Sequence, residues 1–304
     1  MGFTSGGKTL PDIIDEIAAA LIASSANWSD GDTTWDTTET SNDTDTNRRC
    51  LKYTGDAADI WLALESINDD VHYYGASVNA KGLRITFSSS WDSVNHAYGT
   101  TNSQTFIGFQ GDDSSPQADL NSMILTYYLW VDSSGFALMA KPEPFSVDDR
   151  QSSFITVVEH MGTKEYSDGL TNFYCFTQRN VGTSWTDSND HDGFEQMPMI
   201  RPFAYETRTI GQGIQFWYHD YNNRYALKST GNGKVYFVKP VICNSTDNFT
   251  PIYQSELFFK FSEDAGLVDG DVIAIDGETT KYICKTIDSP DSTARLNFAI
   301  KYVA

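Results

Sequence analysis

The chain has 304 residues and a formal net charge of −20, from 41 acidic against 21 basic residues. Such a field repels phosphate backbones and anionic bilayers, which argues against nucleic-acid binding and against docking on an acidic membrane surface. Aromatic residues reach 13% of the sequence; at roughly 150–250 Å² buried per ring they fill a substantial core, and a chain of this length buries about 70–75% of its unfolded surface.

No stretch is apolar for long enough to suggest a transmembrane helix. Residues 13–23 are apolar but carry Asp15 and Glu16, with Lys8 as the lone basic flank, so they do not read as a secretion signal. Residues 9–24 read instead as the one long helix. Thr9 and Asp12 stand at capping-box spacing, and Pro11 suits a first turn. Leu10, Ile13, Ile14, Ile17 and Leu21 form one apolar stripe. A helix of about 22 Å is marginal alone and must pack on something. Two covers are open: its own domain, or a neighbouring subunit on which the stripe docks.

Residues 25–49 are a polar connector, pinned to a surface by Trp28 and Trp35. With the helix they make an N-terminal arm, 1–49. Asp30, Asp32, Asp36, Asp43 and Asp45 offer oxygens, but no spacing fits a calcium loop, and no metal is assigned. The four cysteines form no Cys-x-x-Cys motif, so reduced, buried thiols are expected. Cys50 is the exception. It follows Arg48 and Arg49, and cations beside a thiol lower its pKa, so Cys50 is the candidate for crosslinking neighbouring subunits.

From residue 50 the period falls to two. Residues 60–64 and 105–110 read as strands, and Leu83, Ile85 and Phe87 alternate against Arg84 and Thr86. Residues 123–144, MILTYYLWVDSSGFALMAKPEP, are a hairpin. β-Branched and aromatic side chains favour its strands, Asp132 to Gly135 supply the turn, and Pro142 and Pro144 are expected to stop the return strand. Both strands are apolar on both faces, which places the hairpin between other elements, near the middle of a sandwich. Strands follow at 154–160, 172–178, 214–218, 235–238, 241–243 and 257–261. The expectation for 50–261 is an antiparallel, jelly-roll-like β-sandwich. Residues 262–304 read as a small β module with an Asp276-Gly277 hairpin turn, too small to be stable alone.

No metal, phosphate-loop, dinucleotide or nucleophile-elbow motif is present. Glu159, beside His160 on a strong strand, is the best carboxylate for a glycan-degrading reading, with Glu206 and Asp220 behind it; its bland reading is an outward-facing strand residue. Trp91, Tyr98 and Trp185 lie in polar loops, where aromatic faces suit stacking on a sugar.

Three stretches resemble structural proteins of tailed-bacteriophage virions. GGKTLPDIIDEIAAALIAS is similar to the short docking helices that open many head, neck and tail components. YYLWVDSSGFALMAKPEP, running on to SFITVVEHM, is similar to β-rich phage structural proteins. LVDGDVIAIDGETTKYICK with NFAIKY resembles the terminal β modules of neck and tail proteins. The resemblance implies a protein folded in the host cytoplasm and assembled into rings in the virion, without cofactor or catalytic residues. The expected function is therefore a structural subunit of the neck, collar or tail, not an enzyme. Its partners would be other copies of itself and other virion proteins. A carbohydrate-binding module recognising a surface glycan is the runner-up, and a glycan-degrading enzyme the third reading.

Overall fold

The computed structural model describes residues 2–36, 48–70, 80–99, 102–111, 122–143, 153–162, 173–179, 197–200, 205–208, 237–238, 241–244, 250–261, 266–275, 277–287 and 296–303. The expected strand at 214–218, the turn residue Asp276, the candidate carboxylate Asp220, the candidate stacking residue Trp185, the candidate oxygen donors Asp43 and Asp45 and the expected strand stop Pro144 lie outside them.

The first third holds β1 (Gly2–Lys8), α1 (Leu10–Ser24), β2 (Trp28–Asp30), the one-turn α2 (Thr33–Asp36), β3 (Arg48–Tyr53), β4 (Ile60–Asp70), β5 (Ala80–Ser88), the two-residue strands β6 (Trp91–Asp92) and β7 (Ala97–Tyr98), and β8 (Asn102–Gly111). The middle holds β9 (Ile124–Asp132), β10 (Gly135–Glu143), β11 (Phe154–His160), β12 (Phe173–Arg179), β13 (Met197–Ile200) and β14 (Tyr205–Arg208). The last part holds β15 (Phe237–Val238), β16 (Val241–Asn244), β17 (Thr250–Gln254), β18 (Phe258–Phe261), β19 (Val272–Ala274), β20 (Lys281–Ile287) and β21 (Leu296–Val303).

The protein is mainly β, and its sheets are antiparallel. The central sheet has seven strands in the order β1-β9-β10-β11-β12-β13-β14. A second sheet runs β2-β3-β4-β5-β8, and a third runs β15-β18-β21-β20-β19. Apart from β1, and from the β5–β8 step that skips the small β6–β7 hairpin, the strands described in the first two sheets sit beside their sequence neighbours. Among the described residues that order is a meander, without the crossings of a jelly roll.

Alternation along the central strands sends side chains to two different cores. Leu125, Tyr127, Leu129 and Val131 of β9, Phe136 and Leu138 of β10, and Phe173 of β12 pack with α1 and with Leu62, Leu64, Leu83, Ile85 and Phe87 of the second sheet. Trp130, Ala137, Met139, Ile155, Val157, Tyr174 and Phe176 pack with Phe258, Ile283, Phe298 and Ile300 of the third sheet. The hairpin therefore stands in the middle layer, as its two-sided apolar pattern implies. Its turn is tight: Asp132 pairs with Gly135 across Ser133 and Ser134. Gly135 is required there, because a Cβ would lie 1.9 Å from the Val158 carbonyl oxygen.

Pro142 does not end β10; it pairs with Leu125. Among the described residues the ladder to β11 runs from Gly135–Glu159 to Ala140–Phe154; residues 144–152, with Pro144, lie outside them.

The helix forms as its sequence predicts. The Thr9 hydroxyl accepts from the Asp12 N–H at 3.3 Å, and Pro11 occupies the first turn. Leu10, Ile13, Ile14, Ile17 and Leu21 are all 0–1% exposed. Each such side chain contributes about 1.5–3 kcal/mol by leaving water. The stripe is thus consumed inside its own chain, between the central and second sheets, and is not available to dock on a neighbouring subunit. The arm boundary at residue 49 dissolves for the same reason: β1 pairs with β9 along seven residues, and β2 with β3. The boundary at 261/262 is crossed too, since β18 pairs with β21. No helix among the described residues is long and apolar enough to cross a membrane.

Candidate functional site

A cluster of buried polar groups gathers around Glu159, between the central and third sheets. Because β11 alternates, Glu159 joins Ile155 and Val157 on the face toward the third sheet. His160 points to the opposite face, where its Nε2 lies 3.0 Å from Asp56 and its ring meets Tyr53 and Phe173. Glu159 is 1% exposed, so its expected outward position is corrected. The strand carrying it is covered on both faces and leaves no solvent side.

Four donors converge on its carboxylate. The Tyr174 hydroxyl donates to Oε2, as does the Ser255 hydroxyl at 2.8 Å. The Tyr253 hydroxyl donates to Oε1 at 2.9 Å, and the Glu256 backbone N–H at 3.2 Å. Burial pushes the Glu159 carboxyl up to about 7, against the pull of these hydrogen bonds. Burial, and then the facing Glu159 charge, raises the Tyr174 and Tyr253 hydroxyls as well. Chemically this is a crosslink. The carboxylate ties β11 and β12 to the 253–256 segment that leads into β18, and every oxygen is already engaged by protein donors.

A groove of about 520 Å³ opens near the tip of the hairpin, lined by Trp130, Asp132, Ser133, Ser134, Lys301 and Tyr302 among others. It is built from β1, the β9–β10 turn and β21. Asp132 Oδ1 accepts from the Ser134 N–H at 2.9 Å and from the Ser134 hydroxyl at 2.5 Å. Oδ2 accepts from the Trp130 indole N–H at 3.0 Å and faces the Lys301 ammonium at 3.5 Å. That ammonium also lies 5.2 Å from the centre of a Trp130 ring. Asp132 thus does more than turn the chain: it fixes the indole and the lysine that floor the groove.

Trp91 and Tyr98 are brought together, but into a different role from sugar stacking. They cap the outer face of the second sheet. Trp91 meets Trp35 edge-on at 5.0 Å and Tyr98 at 5.2 Å. Its indole N–H donates to Asp32 at 2.8 Å, and the Tyr98 hydroxyl donates to Glu65. His96 Nδ1 shares the same Asp32 oxygen at 2.8 Å. Burial works against the Asp32 charge, yet the bonds from Trp91, His96 and the Trp35 N–H hold its carboxyl below the usual range. Two of the three rings that the sequence offered to a glycan, Trp91 and Tyr98, are engaged by this chain; the third, Trp185, lies outside the described residues.

Cys50 is 0% exposed, packed with Trp35 and Ala63. Strand alternation in β3 puts Cys50 on the outer face of the second sheet, where the Trp35 cap buries it, so it is not placed to bridge subunits. The flanking cations have other partners. Arg48 lies over the Trp35 ring at 4.5 Å, and Arg49 reaches Asp15 at 3.1 Å and Asp30 at 2.8 Å. Among the described residues no three His, Cys, Asp or Glu side chains cluster in a way that would hold a metal ion.

Sequence reasoning missed Tyr174, Tyr253 and Ser255 as partners of Glu159, and Lys301 as the partner of Asp132. One signal was present: FITVVEH is apolar on both faces, and a Glu inside such a strand must be buried and hydrogen-bonded. No family model, no curated protein and no solved structure matches the chain.

Proposed function

We propose that the chain is a structural subunit of a tailed-phage virion, of the neck or tail, that folds in the host cytoplasm and assembles with copies of itself and other virion proteins. The family assignment rests on the resemblance of the three stretches described above. The structural observation that supports an assembly role is β1. It is the outermost strand of the central sheet, and Thr4, Ser5, Gly6 and Gly7 are exposed. Among the described residues no strand pairs with its other side, and such a sheet edge is a template for another strand. The buried acid is consistent with a scaffold, because its oxygens hold layers together instead of facing a substrate.

Mass spectrometry and cryo-electron microscopy of purified particles test the reading. The expected result is this chain at a fixed copy number in the neck or tail. Its absence from particles made by cells that express it abundantly overturns the proposal.

A second reading, glycan binding, moves from Trp91 and Tyr98 to the groove at the hairpin tip. The groove offers the Tyr302 ring, two serine hydroxyls and an ammonium in one concavity, which suits a polyhydroxylated ligand. Under this reading Tyr302→Ala abolishes retention on host-surface glycan; unchanged retention removes the groove from consideration.

A further inference from the structure

We infer that β1 pairs with β1 of a second copy, antiparallel and about a two-fold axis, joining two central sheets edge to edge. The inference deepens the assembly reading and takes from it only the expectation that copies meet; the edge itself is a matter of geometry.

Natural edge strands are blunted by proline, by a central lysine, by a bulge or by shortness. Strand β1 has none of these. It holds seven residues in unbroken register against β9, from Gly2–Val131 to Lys8–Leu125. It contains no proline, and its one charge, Lys8, sits at the end and is bound to Glu16 at 2.9 Å. At about 3.4 Å per residue the edge is about 24 Å long.

Charge favours a second copy as the occupant. The chain carries −20, so two copies repel over most approaches. Residues 1–11 hold no carboxylate, and Asp12 is the first acid. The carboxylate that does reach β1, Glu16, is bound there to Lys8 at 2.9 Å, so the strand carries no uncompensated acid toward its copy.

The strand is also complementary to itself. Full antiparallel overlap sets Ser5 opposite Ser5, Thr4 opposite Gly6, Phe3 opposite Gly7 and Gly2 opposite Lys8. Each larger side chain faces a glycine, the lysines do not face each other, and the arrangement closes as an isologous pair. Edge pairing alone falls short of the roughly 800 Å² per partner of a standard interface, which places the affinity in the micromolar range.

Sedimentation velocity of the full chain across the micromolar range tests this. The wild type is expected to shift from monomer to dimer, with concentration-dependent protection of amides in residues 2–8 by hydrogen exchange. Ser5→Lys and Ser5→Asp each place a charge opposite itself on the axis, and each weakens association roughly tenfold or more. An equal mixture of the two recovers a dimer, which also shows that both variants are folded. A monomeric wild type overturns the inference, and so does a dimer that both charges leave unchanged or that mixing does not restore. Dimers of a chain that never enters particles sink the virion reading alone; particle incorporation of a chain that stays monomeric in solution sinks this inference alone.

Discussion

The two faces of the central sheet are built from the same strands by opposite means. Toward α1 and the second sheet the face is largely apolar, with Leu129, Phe136, Leu138 and Phe154 at 0–1% exposure and the threonines Thr156 and Thr177 set among them. Toward the third sheet the layer is interrupted by Glu159 and its donors. The first face is held by area and shape, which are forgiving of sequence. The second is held in part by directional bonds, which fail when one partner is lost.

The contrast is broken most directly at Glu159. Glu159→Ala leaves the Tyr174, Tyr253 and Ser255 hydroxyls and the Glu256 N–H without their acceptor. The expected loss is about 3–5 kcal/mol, read from the denaturant midpoint. A loss below about 1 kcal/mol would mean that the polar side contributes no more than an apolar patch. Leu138→Ala on the opposite face opens a cavity and costs about 2–5 kcal/mol. Its effect should be flat with pH, which separates the two faces even where the magnitudes overlap.

Proton linkage sharpens the comparison. Burial raises Glu159 from 4.5 to about 7 in the folded state. The folded chain then binds this proton more tightly than the unfolded chain does. The stabilising contribution is full below pH 4.5 and is lost as pH rises to about 7, at up to about 1.4 kcal/mol per unit. The difference in unfolding free energy between wild type and Glu159→Gln, followed over that window, should slope accordingly. A difference independent of pH would show that Glu159 does not titrate there.

The smallest expected effect lies on the apolar face. Thr156 and Thr177 are paired across β11 and β12 and fully buried, and among the described residues neither hydroxyl has a hydrogen-bond partner. Thr156→Val removes an unmatched hydroxyl at nearly constant volume, and a gain of up to about 1 kcal/mol is expected by thermal unfolding. Destabilisation would show that this face, too, depends on a polar contact.

Much of the fold was legible because it is local. The capping pair Thr9 and Asp12, the stripe from Leu10 to Leu21, and the alternation of Leu83, Ile85 and Phe87 each report a period within a few residues. The hairpin's two-sided apolar pattern even gave its layer. The site was far less legible. Glu159 stood out as a residue, but Tyr253 and Ser255 lie 94 and 96 positions away, and nothing short-range ties them to it. Cys50 was misjudged on its neighbours in sequence, since strand alternation separates it from Arg49 and the Trp35 cap covers it.

By itself the sequence determined a mainly β chain, the place of its helix and of most described strands, and a hairpin that had to be covered on both sides. Periodicity carries that information, and periodicity survives without knowing what lies opposite. Only the tertiary structure decided that the helix stripe is covered by this chain's own sheets, that β18 extends the C-terminal strands, and that β1 is the outermost strand of its sheet among the described residues. Those outcomes depend on which surfaces meet across a hundred residues or more, and burial and hydrogen bonding settle that only once the layers are stacked.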